Sequence, residues 1–191
     1  MARHGGYGLT KTTQIICGID PGLRQTGYGV ICVDADDDSA RVLDAGIIRT
    51  SDDAPLAVRL AELAAGIEEV LDEHRVELLS VEQVYSHYNR PRTAILMAHA
   101  RGVILSGAAR RGIQVLHLPA TTVKRHLTGN GRAGKEQIQK AVAALLGLPT
   151  VPQPPDVADA LAIALCATAM LQQPAKLAMT NDALLSPRGA R

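Results

Sequence analysis

Residues 14–30, QIICGIDPGLRQTGYGV, constrain this chain more than any other stretch. Ile15, Ile16, Cys17, Gly18 and Ile19 form an apolar run too short for an ordinary helix, and Pro21-Gly22 prevents its continuation, so it reads as a buried strand. Asp20 then sits at the carboxyl end of that strand. Ligands of open α/β sheets bind at this edge, and a carboxylate placed directly after buried apolar residues needs something there that uses its charge. Asp before Pro-Gly is also a good turn former, so this stretch alone leaves both readings open.

The rest of the chain supplies an α/β domain around that strand. Residues 28–34 and 41–50 read as second and third strands of a meander, separated by the turn-rich Asp36, Asp37, Asp38 and Ser39. Asp52 or Asp53 is expected to cap a helix whose Leu56, Leu60, Leu63, Ile67 and Val70 make one apolar stripe. Residues 76–81 form a fourth strand ending at Glu82, and the helical crossover makes it parallel to an earlier strand. Paired beside the first strand, it brings Asp20 and Glu82 out together. Residues 92–110 form a helix whose Ile95, Leu96, Met97, Val103, Ile104 and Leu105 predict burial on more than one side, which suggests a homodimer interface. A fifth strand at 113–118, a short helix at 119–127, a Gly-rich loop and a helix at 135–146 with Ile138, Val142 and Leu145 inward lead to a last helix at 156–171. Residues 1–13 read as a flexible leader and 173–191 as a disordered tail, leaving one domain at 14–172.

Charge is distributed unevenly along the sequence. Residues 34–82 carry net minus ten and residues 83–155 net plus nine, although the whole chain is at +1. A basic half in a near-neutral protein points to a localised polyanion-binding surface. Three cysteines without CxxC spacing argue against a disulfide framework or a zinc site. The start lacks an apolar signal core, and the longest apolar run is too short to cross a bilayer, so a cytoplasmic protein with no membrane partner is expected. With no Phe or Trp, any stacking role falls to four tyrosines.

The last helix carries the second decisive feature. Asp156 and Asp159 lie three residues apart, hence on one face of the first turn of the otherwise apolar DVADALAIALCATAM. One cap needs one Asp, and Asp159 shares its stripe with Ala162, Ile163 and Cys166, so a purely structural reading leaves it half buried and unpaired. Asp20, Glu82, Asp156 and Asp159 converging at one edge would repel one another unless cations neutralised them, and hard carboxylate oxygens select magnesium or manganese. Two such cations held by carboxylates suit phosphodiester hydrolysis, and the basic segment supplies phosphate contacts. No particular histidine among His87, His99, His117 and His126 emerges as a base.

The runs GIDPGLRQTGYGV, VEQVY, VKRHLTGNGRAGKEQIQKAV and DVADALAIA, in this order and spacing, resemble the RuvC-type Holliday junction resolvases across residues 14–171. The resemblance implies a ribonuclease-H-like fold with a five-stranded mixed sheet flanked by helices. It implies a homodimer that makes paired, Mg2+-dependent nicks in four-way junction DNA, with Mn2+ able to substitute and two ions per site. It also implies collaboration with the RuvA and RuvB branch-migration proteins. Asp20, Glu82, Asp156 and Asp159 match that family's acidic tetrad. Tyr85, Lys124 and Lys135 fall where it has a junction-contacting aromatic and basic residues, and Arg125 adjoins Lys124. The aromatic is commonly Phe; Tyr keeps the stacking face and adds a hydroxyl.

Two rivals come from other classes. DPGLRQTG also resembles the first phosphate loop of actin-like and sugar-kinase ATPases, but those enzymes need two such domains around a cleft. A junction-binding module without catalysis would keep the basic half and have no use for four carboxylates. A nuclease of the same fold acting on RNA would carry the same residues, since substrate shape is not written in the sequence.

Overall fold

The computed structural model describes residues 13–34, 39–83 and 91–171. Residues 1–12 of the expected leader, the whole of the expected tail at 173–191, Tyr85 and His87 lie outside the described residues. Five strands form one sheet: β1 (Thr13–Asp20), β2 (Gln25–Asp34), β3 (Ala40–Arg49), β4 (Leu78–Glu82) and β5 (Gln114–Leu118). Their order is β3-β2-β1-β4-β5, with β1 antiparallel to β2 and parallel to β4. The meander and the parallel crossover expected from the sequence are therefore both present.

Period-two alternation divides the apolar side chains between two cores. Ile16, Ile31, Leu78 and Leu116 point to one face, where α3 (Ala120–Thr128), α4 (Lys135–Leu145) and α5 (Pro155–Leu171) cover them. Cys17, Ile19, Val30, Leu79 and Val81 point to the other, against α1 (Leu56–Glu73) and α2 (Pro91–Arg110). All three cysteines are free and buried.

Local expectations fail at four places, each for a physical reason. β2 begins at Gln25 rather than Tyr28, because Thr26 is fully buried and its hydroxyl donates to the Gly22 carbonyl at 2.5 Å, which closes the turn that β2 leaves. Among the described residues no side chain caps α1, whose N-cap is Pro55; Asp52 pairs with Arg24 and Arg59 instead. α2 buries one stripe, Ala100, Ile104 and Ala108, and leaves Ile95 58% exposed, so its apolar composition overstates its burial. On α4, Ile138 and Val142 are buried but Leu145 is 56% exposed, and Leu146 and Leu148 close that end of the core.

The basic half also divides. Arg110, the last residue of α2, and Arg111 just after it pair with Glu68 and Asp72 of α1, on the opposite face of the sheet from α3, α4 and α5. Those cations neutralise a neighbouring acidic helix. Lys124, Arg125 and Lys135 remain on the α5 side.

Candidate active site

Alternation also fixes where the strand-end carboxylates point. Ile16 and Gly18 face α5, so Asp20, next in that series, faces it too; Leu78 and Ser80 do the same for Glu82 on β4. β1 and β4 run parallel with Ile19 beside Val81, which sets the following residues, Asp20 and Glu82, side by side. Missing side chains then let α5 descend onto the sheet. A Cβ at Gly18 would lie 2.2 Å from the Ala160 carbonyl oxygen, and one at Gly27 would lie 2.2 Å from that of Asp156. Ser80, fully buried, bonds the carbonyls of Cys17 and Ile163 at 3.3 Å each and ties β1, β4 and α5 together.

This packing delivers the first turn of α5 to the end of β1. Carboxylate oxygens of Asp20, Asp156 and Asp159 all lie within 4.8 Å of one another. Glu82 stands outside that trio but lines the same cleft of about 290 Å³ with Asp20, Asp159, Lys124 and Lys135. The four expected acids thus share one site, with three as its centre and Glu82 as a wall.

Burial and mutual repulsion dominate the electrostatics. Burial pushes the Asp20 carboxyl up from 3.8 to about 8, and Glu82, Asp159 and Asp156 push it in the same direction. Glu82 is raised by burial and by Asp159, and Asp159 is raised chiefly by burial. Crowded carboxylates that resist ionisation together are a donor set suited to a hard divalent cation, which favours the charged form of each. The residues present fit such an ion.

Asp159 has a partner besides the other acids: the Lys135 ammonium lies 3.7 Å from its Oδ2. Lys135 opens α4 directly after the Gly-rich loop. There Gln137 Oε1 accepts the Gly134 N–H at 3.0 Å and Asn130 Oδ1 accepts that of Arg132 at 2.9 Å. Lys124 sits half-buried on α3 across the cleft, and its charge favours the ionised forms of Glu82 and Asp159. Arg125 is exposed on the same helix and does not line the cleft.

Two polar partners were missed by the sequence reading. Gln25 Nε2 donates to Asp156 Oδ2 at 2.5 Å, a contact spanning 131 residues that only the descent of α5 creates. Arg101 donates through Nε to the Glu82 carbonyl at 3.3 Å and lies 2.5 Å from His117 Nδ1, bracing the end of β4. Burial and the Arg101 charge hold His117 down to about 4, so it is neutral at pH 7. Its strand neighbours Leu116 and Leu118 face α5, so His117 points to the other face, away from the carboxylates.

Comparison with known proteins bears on the same residues. The family model for crossover junction endodeoxyribonuclease RuvC matches residues 16–167, which spans both the strand-end and the helical acids. This chain belongs to the RuvC family. It is 50% identical over 159 residues to the RuvC of Rhodopirellula baltica, covering 83% of this chain and 88% of that one. The Thermus thermophilus RuvC structure is 34% identical and superimposes with a TM-score of 0.76, covering 83% of this chain and 96% of that one. RuvC from the same organism in complex with Holliday junction substrate matches with a TM-score of 0.77 at the same identity and coverage. The expected ribonuclease-H-like fold is borne out, and so is the assignment to the junction-resolving nucleases. The ATPase reading falls with the family assignment.

Proposed function

We propose that this RuvC-family chain cuts four-way DNA junctions by divalent-metal-dependent phosphodiester hydrolysis, with Asp20, Glu82, Asp156 and Asp159 as the metal-binding carboxylates. One observation carries the reading: acids from residues 20, 156 and 159 meet within 4.8 Å in a family of crossover junction endonucleases. Magnesium is the ion of choice for such oxygen donors, manganese substitutes, and the number of acids accommodates two ions. When bound, the cations withdraw charge from the scissile phosphate and stabilise the charge that develops on the leaving oxygen.

The remaining work falls to the chain. Asp20 and Glu82 are fixed by strand ends, and Asp156 and Asp159 by a helix clamped to those strands, so the donor set is held by rigid elements. Lys124 and Lys135 border the cleft from two helices and neutralise the phosphates that flank the cut. Arg125 extends that cationic edge outward. Tyr85, three residues beyond Glu82 in sequence, is assigned the stacking role at the crossover. A homodimer would present two such sites to the two strands that must be nicked; Ile95, exposed on α2, supports an apolar contact there. RuvA and RuvB are the proposed partners and the cytoplasm the proposed compartment.

The test is incubation of the chain with a synthetic four-way junction, a linear duplex and a structured RNA, each with and without Mg2+. Paired nicks in the junction alone, and only with metal, are expected. Preferential cleavage of the RNA would overturn the substrate assignment.

A further inference from the structure

Asp159 is faced by a cation, whereas the Asp156 carboxylate is hydrogen-bonded by a neutral group. The Lys135 ammonium stands 3.7 Å from Asp159 Oδ2, and the neutral amide of Gln25 donates to Asp156 Oδ2 at 2.5 Å. The sequence explains how this amide arrives. Gln25, Gly27 and Gly29 alternate along β2 and so share one face. A Cβ at Gly27 would collide with the Asp156 carbonyl oxygen at 2.2 Å, and one at Gly29 with the Leu161 side chain at 2.6 Å. The two glycines therefore bring the helix onto the strand, and the first residue of that face that has a side chain meets the first acid of the helix.

We propose that Gln25 is a positioning residue for the metal site, holding Oδ2 of Asp156 by its Nε2–H so that Oδ1 is presented to the cation. The proposal rests on the metal-site reading of the carboxylates given above. An Asp carboxylate can rotate about its terminal torsion, and two free oxygens would share several orientations; one fixed oxygen leaves one. A neutral donor suits this task better than a lysine would. It orients the carboxylate without contributing a positive charge that repels the incoming ion. Partners that orient a metal ligand typically change metal affinity by about 10–100-fold when removed.

The experiment measures Mn2+ binding to the full chain without DNA, by electron paramagnetic resonance of the free ion, in wild type, Gln25→Met and Gln25→Ala. Met keeps the length of the side chain and removes the donor; Ala removes both and adds no bulk, so it serves if Met folds poorly. Loss of roughly tenfold in Mn2+ affinity at unchanged Tm is expected in the variants. Junction cleavage should then fall most at limiting Mn2+, with the deficit shrinking as the ion is raised, a split that loss of fold would not produce. Wild-type Mn2+ affinity in either folded variant overturns the role of Gln25 and leaves the metal site standing. Failure of the wild-type chain to bind Mn2+ overturns the metal-site reading itself, and Gln25 with it.

Discussion

The Lys135 ammonium lies 3.7 Å from Oδ2 of Asp159, so a cation assigned to DNA phosphate also serves as a counter-ion of the acidic cleft. Its charge favours the ionised forms of Asp20, Glu82 and Asp159. In Lys135→Met, two affinities should move in opposite directions. Mn2+ should bind more tightly above pH 8 without DNA, because its competitor for Asp159 is gone. Junction binding should weaken, with its log-log salt slope reduced by about one. A titration in which both affinities fall together would show that Lys135 does not compete with the ion.

Asp20→Asn should lose cleavage by orders of magnitude while junction binding survives, since the lysines remain. It should also stabilise the metal-free protein. The Asp20 carboxyl is raised from 3.8 to about 8 on folding, so its stabilising contribution is complete below pH 3.8 and is lost as pH rises through about 8. The variant should match wild type near pH 4 and exceed it increasingly towards pH 8 in chelator. Melting curves of both proteins across that window would settle it, and a constant Tm difference would sink the assignment to Asp20.

Lys124 faces the cleft from α3, opposite Lys135. Lys124→Ala should weaken binding to four-way junctions of any sequence and lower the salt slope by about one. Arg110→Ala serves as the comparison, because Arg110 is engaged with Glu68 on the other face and should leave the slope unchanged. Equal slopes for wild type and Lys124→Ala would remove α3 from the DNA surface.

Tyr85 follows Glu82 by three residues in sequence, and bases at a crossover lose a stacking neighbour. Base–aromatic stacking is worth about 1–3 kcal/mol per base. Tyr85→Phe should therefore cut at nearly the wild-type rate. Tyr85→Ala should cut paired junctions slowly and recover on junctions with unpaired bases at the crossover. Equal slowing on both substrates, at unchanged Tm, would leave Tyr85 a packing residue.

The meander, the parallel crossover and the convergence of the four acids were legible because they depend on short, strongly patterned signals. The VELLSVE run, with its apolar stretch ending at Glu82, is one of these. What escaped was whatever depended on the distance between elements. Gln25 looked like part of a turn, since nothing local in RQTGYG announces a helix 131 residues away. The glycines at 27 and 29 were visible, but their reason is the approach of α5. Asp52 has the chemistry of a cap and is drawn to two arginines instead. Counting charges along the chain likewise merged Arg110 and Arg111, which answer α1, with Lys124 and Lys135, which face the cleft.

The docking of α5 against β1 and β2 joins a late segment of the chain to the earliest strands. A nascent polypeptide that has emerged through β5 already holds Asp20 and Glu82, yet it has neither Asp156 nor Asp159. Contacts across such a sequence separation carry a large loop-closure cost, which slows folding of the whole domain. A partial chain that ends before α5 thus lacks two of the four carboxylates proposed to hold the metal, and the proposed site is completed only when α5 settles onto β1 and β2.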